Sequence, residues 1–98
     1  MSLKVEWREK AIEELQAIYD YIYFRSPQNA ENVVNTILDL GNSLGDFPNK
    51  FPIEPILNQE HTRFFTQWSY KIIYRVESER IIILRVFDSR QNPDKLLS

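Results

Sequence analysis

The chain contains no cysteine, two glycines, one histidine and one methionine in 98 residues. The missing thiols exclude disulfides and thiolate metal centres, and leave the redox compartment unconstrained. No metal-ligand cluster, nucleotide-binding loop or nucleophile triad is legible, so no metal and no cofactor are expected. Long apolar runs are also absent: Ile81 to Leu84 is far too short to cross a bilayer. The N-terminus lacks the apolar core of a secretory signal, so a cytoplasmic location and no membrane partner are expected. Positive charge is not in excess. A net charge of -2 and a pI near 5.4 argue against a protein that clamps nucleic acid through many phosphates.

With 43% hydrophobic and 13% aromatic residues, the chain can bury one modest core. Residues 1–98 are therefore expected to form a single domain, small enough for a partner to matter to its stability. Charge is divided unevenly along it. Residues 1–60 hold ten acidic against five basic side chains, and residues 61–98 hold seven basic against four acidic. This division hints at an anionic partner for the second half, with solvated strand faces as the plainer alternative.

The order of elements follows from periodicity. Leu3, Val5 and Trp7 alternate with polar residues and predict a short first strand. Ile12, Leu15, Tyr19 and Ile22 recur at helical spacing, widened by Ile18. Ser26-Pro27 ends that helix and starts another, because serine caps well and proline fits the first helical position. The second stripe is Ala30, Val33, Val34, Ile37, Leu38 and Leu44, with Gly41 allowing close packing and Gly45 as the stop. Phe47 to His61 carries Pro48, Pro52 and Pro55 and is expected to be a crossing loop without regular pairing.

Two strands follow, joined by the polar turn Glu77-Ser78-Glu79. Alternation puts Tyr70, Ile72, Tyr74 and Val76 on one face, and Lys71, Ile73 and Arg75 on the other. In the last strand it groups Ile82, Leu84 and Val86 apart from Ile81, Ile83 and Arg85. The predicted architecture is α+β: an N-terminal strand and a two-helix hairpin packed on a small, mostly antiparallel sheet. One sheet face is expected to stay open, presenting Ile73, Ile81, Ile83 and Arg85 to a partner. The tail containing Pro93 is expected to leave the sheet edge.

The set Tyr70-Lys71-Ile72-Ile73-Tyr74-Arg75-Val76, then Ile82-Ile83-Leu84-Arg85-Val86-Phe87-Asp88-Ser89-Arg90, ending at Pro93, resembles the RelE/ParE superfamily. These are the toxins of bacterial type II toxin–antitoxin modules, often called plasmid stabilisation proteins. The resemblance spans nearly the whole chain and implies growth inhibition relieved by a cognate antitoxin. It implies one of two targets: ribosome-bound mRNA, which RelE-like members cleave, or DNA gyrase, which ParE-like members poison. A homodimer is left open, as is a binding module of the same fold that has lost toxicity.

RNA cleavage by 2′-OH attack needs a base, cations at phosphorus and an acid for the leaving oxygen. By resemblance Arg63 and Arg90 match the catalytic arginines, with Lys71 a weaker third. The chain departs from the nuclease pattern elsewhere. Asp88 stands where many relatives have histidine, and no tyrosine follows Tyr74. His61, Glu54 and Glu60 are alternative loop bases without support from spacing. Tyr70, Tyr74 and Trp68 could stack on bases, although packing explains the tyrosines equally well. Alanine at Arg63, Arg85 and Arg90 is expected to reduce toxicity and leave thermal stability nearly unchanged.

Overall fold

The computed structural model describes residues 2–97. Strand β1 (Lys4–Trp7) leads into helix α1 (Glu9–Tyr23) and helix α2 (Pro27–Asn42), followed by a short 3-10 turn at Ser43–Gly45. A crossing loop then reaches β2 (Thr62–Gln67), β3 (Tyr70–Val76) and β4 (Arg80–Asp88), and a last 3-10 turn spans Pro93–Leu97. The sheet order is β1-β4-β3-β2. Neighbours pair antiparallel except β1, which lies parallel to β4 with Val5 opposite Ile81. The α+β architecture of a helical hairpin on a mostly antiparallel sheet is as the residue pattern predicts.

Local chemistry sets the helices. Ser26 is extended, and its Oγ accepts the Asn29 N–H at 3.2 Å, with Pro27 in the first turn. The α2 stripe buries Ala30, Val33, Ile37 and Gly41. On α1 the stripe is shifted from the expected one. Ala11 and Leu15 are buried, with Ile18 and Ile22 packed beside them, while Ile12 is half exposed. The small Ala11 side chain lets the helix lie close to the sheet, a role that reading for large apolar residues misses.

The core between helices and sheet holds Leu15, Val33, Ile37, Phe65, Ile72, Tyr74, Ile81, Ile83 and Val86. Its membership corrects the alternation expected for β4. Ile73 pairs with Arg85 but Tyr74 pairs with Ile83, so Leu84 is an extra residue. A bulge of this kind resets the two-residue period. Ile81 and Ile83 therefore face the helices before it and Val86 does so after it.

The opposite sheet face is not open either. Ile73, Leu84, Phe87 and Leu96 form a second buried cluster, with Leu57, Phe64 and Ile82 at its margin. The crossing loop contributes Leu57 and the C-terminal turn contributes Leu96, so the tail folds back over the sheet instead of leaving it. The loop also pairs with β2 despite its prolines. Phe64 N–H donates to Pro52 O at 3.0 Å, Glu54 N–H donates to Thr62 O at 2.9 Å, and Ile53 bridges Arg63. Proline lacks a donor but keeps its carbonyl.

One buried charge pair pins this loop. The Lys71 ammonium donates to the fully buried Glu54 carboxylate and also lies 4.5 Å from the Phe64 ring centroid. Burial pushes the Glu54 carboxyl up. The Leu57 N–H, at 2.7 Å, and Lys71 pull it down further, leaving it below its ordinary value of 4.5.

Two predictions follow from this packing. A Cβ on Gly41 would lie 2.5 Å from Trp7 Cζ2 and 2.8 Å from Ile83 Cδ1. Overpacking of about 1–3 kcal/mol then outweighs the gain of about 1 kcal/mol from alanine in a helix, so Gly41→Ala lowers the urea midpoint. Lys71→Met strands the Glu54 charge and costs about 3–5 kcal/mol, most of it recovered by adding Glu54→Gln. Because the folded-state pKa of Glu54 is depressed, its stabilisation is complete above about pH 4.5 and is lost as the pH falls through the lower folded value. Urea titrations at descending pH should show a shallower acid decline for Glu54→Gln than for the parent.

Candidate functional site

The cations proposed for chemistry lie on three separate patches. Arg63 shares the helix-facing side of β2 with Phe65. Its Nη1 donates to Phe51 O at 2.6 Å, and its Nε is buried without a partner. Beside it, the Tyr74 hydroxyl donates to Pro48 O at 3.0 Å. Arg63 and Tyr74 thus hold down the start of the crossing loop.

Lys71 lies on the opposite sheet face and is committed to Glu54. Arg90 lies beyond β4, where it is largely exposed and grips Asp88 with two hydrogen bonds, Nε at 3.0 Å and Nη2 at 2.8 Å. Arg63 is opposite Tyr74, whereas Asp88 is opposite Tyr70. The two arginine sites are therefore separated by four residues along β3, or about 13 Å, and by the intervening strand β3. The fold does not bring Arg63, Lys71 and Arg90 around one phosphate.

The residues expected to meet a partner are placed differently from that expectation. Ile73, Ile81 and Ile83 are wholly buried, so none of them is offered at the surface. The period-2 reading fails for Ile81 and Ile83 because of the Leu84 bulge, and for Ile73 because the loop and tail cover its face. Arg85 is bound at both guanidinium nitrogens by Glu14, Nε and Nη2 each at 2.9 Å. The same carboxylate accepts the Val86 N–H at 3.0 Å. Arg85 therefore fastens α1 to β4. Removing one partner of this part-buried pair leaves hydrogen-bonding groups unsatisfied, at a cost of about 1–3 kcal/mol. Arg85 is thus structural, Arg63 clamps the loop, and only Arg90 keeps the expectation of stability-neutral substitution.

Pairing also explains the uneven charge of the chain. Glu6 meets Arg80 at 2.6 Å, Glu14 meets Arg85 and Glu54 meets Lys71, so acids of the first half neutralise cations of the second. Glu77 binds Arg75 at 3.1 Å and Arg80 at 2.8 Å. Each cation on β3 and β4 is thereby matched by a carboxylate. The sequence signal for this is the acid excess before residue 60, which fits internal pairing as well as an external anion or solvated strand faces.

Acid–base machinery is equally sparse. His61 is exposed, with Nε2 3.5 Å from Glu60, and stands away from Arg90 at the other end of β3. Burial raises the Tyr70 phenol, helped by the nearby Asp88 charge, and burial likewise raises that of Tyr74. Neither phenol is a ready base at neutral pH. The Asp88 carboxyl is held low, chiefly by its hydrogen bond from Arg90. Trp68 is exposed at the β2–β3 turn with φ of 54°. Among the described residues no three His, Asp or Glu side chains gather to hold a metal, and no helix is long and apolar enough to cross a membrane.

Arg90 and Asp88 do border a cleft of about 430 Å³, walled by Ile18 and Tyr21 of α1 and floored by Tyr70 and Val86. Its lining combines apolar and phenolic groups with the Asp88–Arg90 ion pair, the Glu14 carboxylate and Gln91, which suits a polypeptide better than a phosphate. Tyr21, largely exposed there, is a residue that helical spacing alone did not single out.

No curated protein matches the chain significantly. Among solved structures, the fold is similar to the chromosomal ParDE toxin–antitoxin system of P. aeruginosa. The TM-score is 0.75 at 27% identity, covering 89% of this chain and 96% of that one. It is also similar to the toxin–antitoxin complex RelBE2 from Mycobacterium tuberculosis, with a TM-score of 0.65 at 16% identity, covering 90% and 99%. The family described as "ParE toxin of type II toxin-antitoxin system, parDE" matches residues 5–93. With the match running from β1 to the final turn, the chain belongs to the ParE toxin family of type II toxin–antitoxin systems.

Proposed function

We propose that this protein is a growth-inhibiting toxin, neutralised by a cognate antitoxin, that acts in the cytoplasm by binding DNA gyrase and does not cut mRNA on the ribosome. The observation that carries the choice of target is the neutralised state of the strand cations. Phosphoryl transfer requires unspent positive charge converging on one phosphate. Here Lys71 is buried against Glu54, Arg85 against Glu14, and Arg63 lies about 13 Å along the sheet from the Arg90 site. A phosphate would have to displace a carboxylate from Lys71, Arg85 or Arg90, or the Phe51 carbonyl from Arg63, and would gain little from the exchange.

Binding to a protein target asks less of the site. It needs a shaped surface with a few unsatisfied apolar and polar groups, and the cleft between α1 and the β4 end has both. Family membership and the likeness to a ParDE assembly support the antitoxin partner and favour gyrase over the ribosome.

Paired assays test the reading. The purified toxin should inhibit gyrase supercoiling and leave ribosome-bound mRNA intact, and adding the antitoxin should restore supercoiling. Cleaved mRNA that becomes intact with Arg90→Ala would overturn it in favour of a nuclease. An induced protein that fails to slow growth would overturn it in favour of an inactive binding module. Tyr21→Ala and Arg90→Ala should each weaken gyrase inhibition several-fold without moving the thermal midpoint, since both side chains are largely exposed.

A further inference from the structure

One groove runs against the pattern of neutralised charge. It lies on the sheet face away from the helical hairpin, over Leu84, between Leu57 of the crossing loop and Leu96 of the final turn. Arg8, Lys10, Arg75 and Arg85 rim a space of about 550 Å³, and no carboxylate lines it. The acids that hold Arg75 and Arg85, namely Glu77 and Glu14, lie outside the groove. Arg8 and Lys10 are exposed and have no side-chain hydrogen bond or ion pair among the described residues.

The backbone of Arg8 is tied to Ile83 O and Ile12 N, but neither cationic side chain has a polar partner among the described residues. Arg8 is the N-cap of α1 and makes no capping bond, and Lys10 is in the first helical turn. That end of a helix carries partial positive charge, so both side chains stand where they are electrostatically unfavourable. A local rule broken without a compensating contact is the mark of a position serving something outside the chain.

We infer that this groove binds an acidic, leucine-containing segment of a partner polypeptide, its carboxylates on the Arg8 and Lys10 rim and its aliphatic side chain against Leu57. The floor chooses between anionic partners. Half-buried Leu57 supplies aliphatic surface, with Leu84 and Leu96 almost wholly buried beneath it, and no aromatic side chain lines the groove to stack on a base. The chain as a whole is acidic, so a polyanion such as nucleic acid is repelled beyond the groove, whereas a short segment with a few carboxylates is not. The biological role of this binding rests on the toxin reading above; the binding itself does not.

The test uses the full chain and follows backbone amide shifts at low salt. The probes are a blocked peptide alternating glutamate with leucine, its glutamine counterpart, and a thymidine oligonucleotide of equal charge. The acidic peptide should move the amides of Leu57, Leu84 and Leu96 and lose affinity as salt rises. The Arg8→Glu, Lys10→Glu double variant should bind it about tenfold more weakly, as expected for losing two rim charge pairs, while its thermal midpoint holds or rises. Equal binding of the glutamine peptide, tighter binding of the oligonucleotide, or shifts centred elsewhere would each overturn the inference. Growth arrest by the parent chain is scored separately: its absence removes the toxin reading and leaves the peptide affinities to judge the groove.

Discussion

The Glu14 carboxylate governs how this sheet is put together. It takes two hydrogen bonds from the Arg85 guanidinium and a third from the Val86 N–H, so one acid on α1 fixes side chain and backbone of β4 at the same point. That point adjoins the Leu84 bulge, where the strand's alternation is reset. A bulge leaves ladder groups unpaired and locally weakens the strand. The Glu14 bond to Val86 N–H supplies a partner from outside the ladder. With the bulge held, Ile81, Ile83 and Val86 all face the helices. A continuous strand would have sent either the two isoleucines or the valine to the other side.

The reset strand explains why so small a chain has two apolar clusters. The helical hairpin covers one sheet face, and the other would expose Ile73, Leu84 and Phe87 if left bare. Covering them requires the crossing loop, which has no helix or strand of its own to anchor it, and the tail, which has only the short 3-10 turn Pro93–Leu97. The loop is therefore tied down by polar contacts: Arg63 on Phe51 O, Tyr74 on Pro48 O and Lys71 on Glu54. Two of the residues most suggestive of chemistry are occupied in holding a lid of backbone over a second core. Their charge is used where the entropy of a long, irregular connection would otherwise prevail.

What could be read beforehand was what local chemistry determines. Ser26-Pro27 announces a helix start because capping and fixed φ act within four residues, and the β-branched runs announce β3 and β4 for a similar reason. The parallel pairing of β1 with β4, the bulge and the ion pairs were not legible, since each joins residues far apart in the chain. Glu14 and Arg85 are separated by 71 positions. The loop forms no strand of its own, as its prolines predict, yet loss of a donor at Pro52 does not prevent its carbonyl from accepting the Phe64 N–H. Within the candidate site, the sequence names the cations but not their availability, because availability depends on which carboxylate the fold brings alongside.

That distinction decides how positive charge should be interpreted in an acid-rich domain. A guanidinium held by a carboxylate has its field largely cancelled at the distance of a ligand, and an incoming anion must first undo the pair. The cations along β3 and β4 are in this condition, and counting them as a basic face overstates what the sheet can offer. Arg8 and Lys10 are in the opposite condition: few in number, placed at the positive end of a helix and left unneutralised. Two unspent charges over an aliphatic floor set a potential that four spent ones do not. The functional electrostatics of this fold are therefore to be sought at the start of α1, outside the arginine-bearing strands that draw the eye.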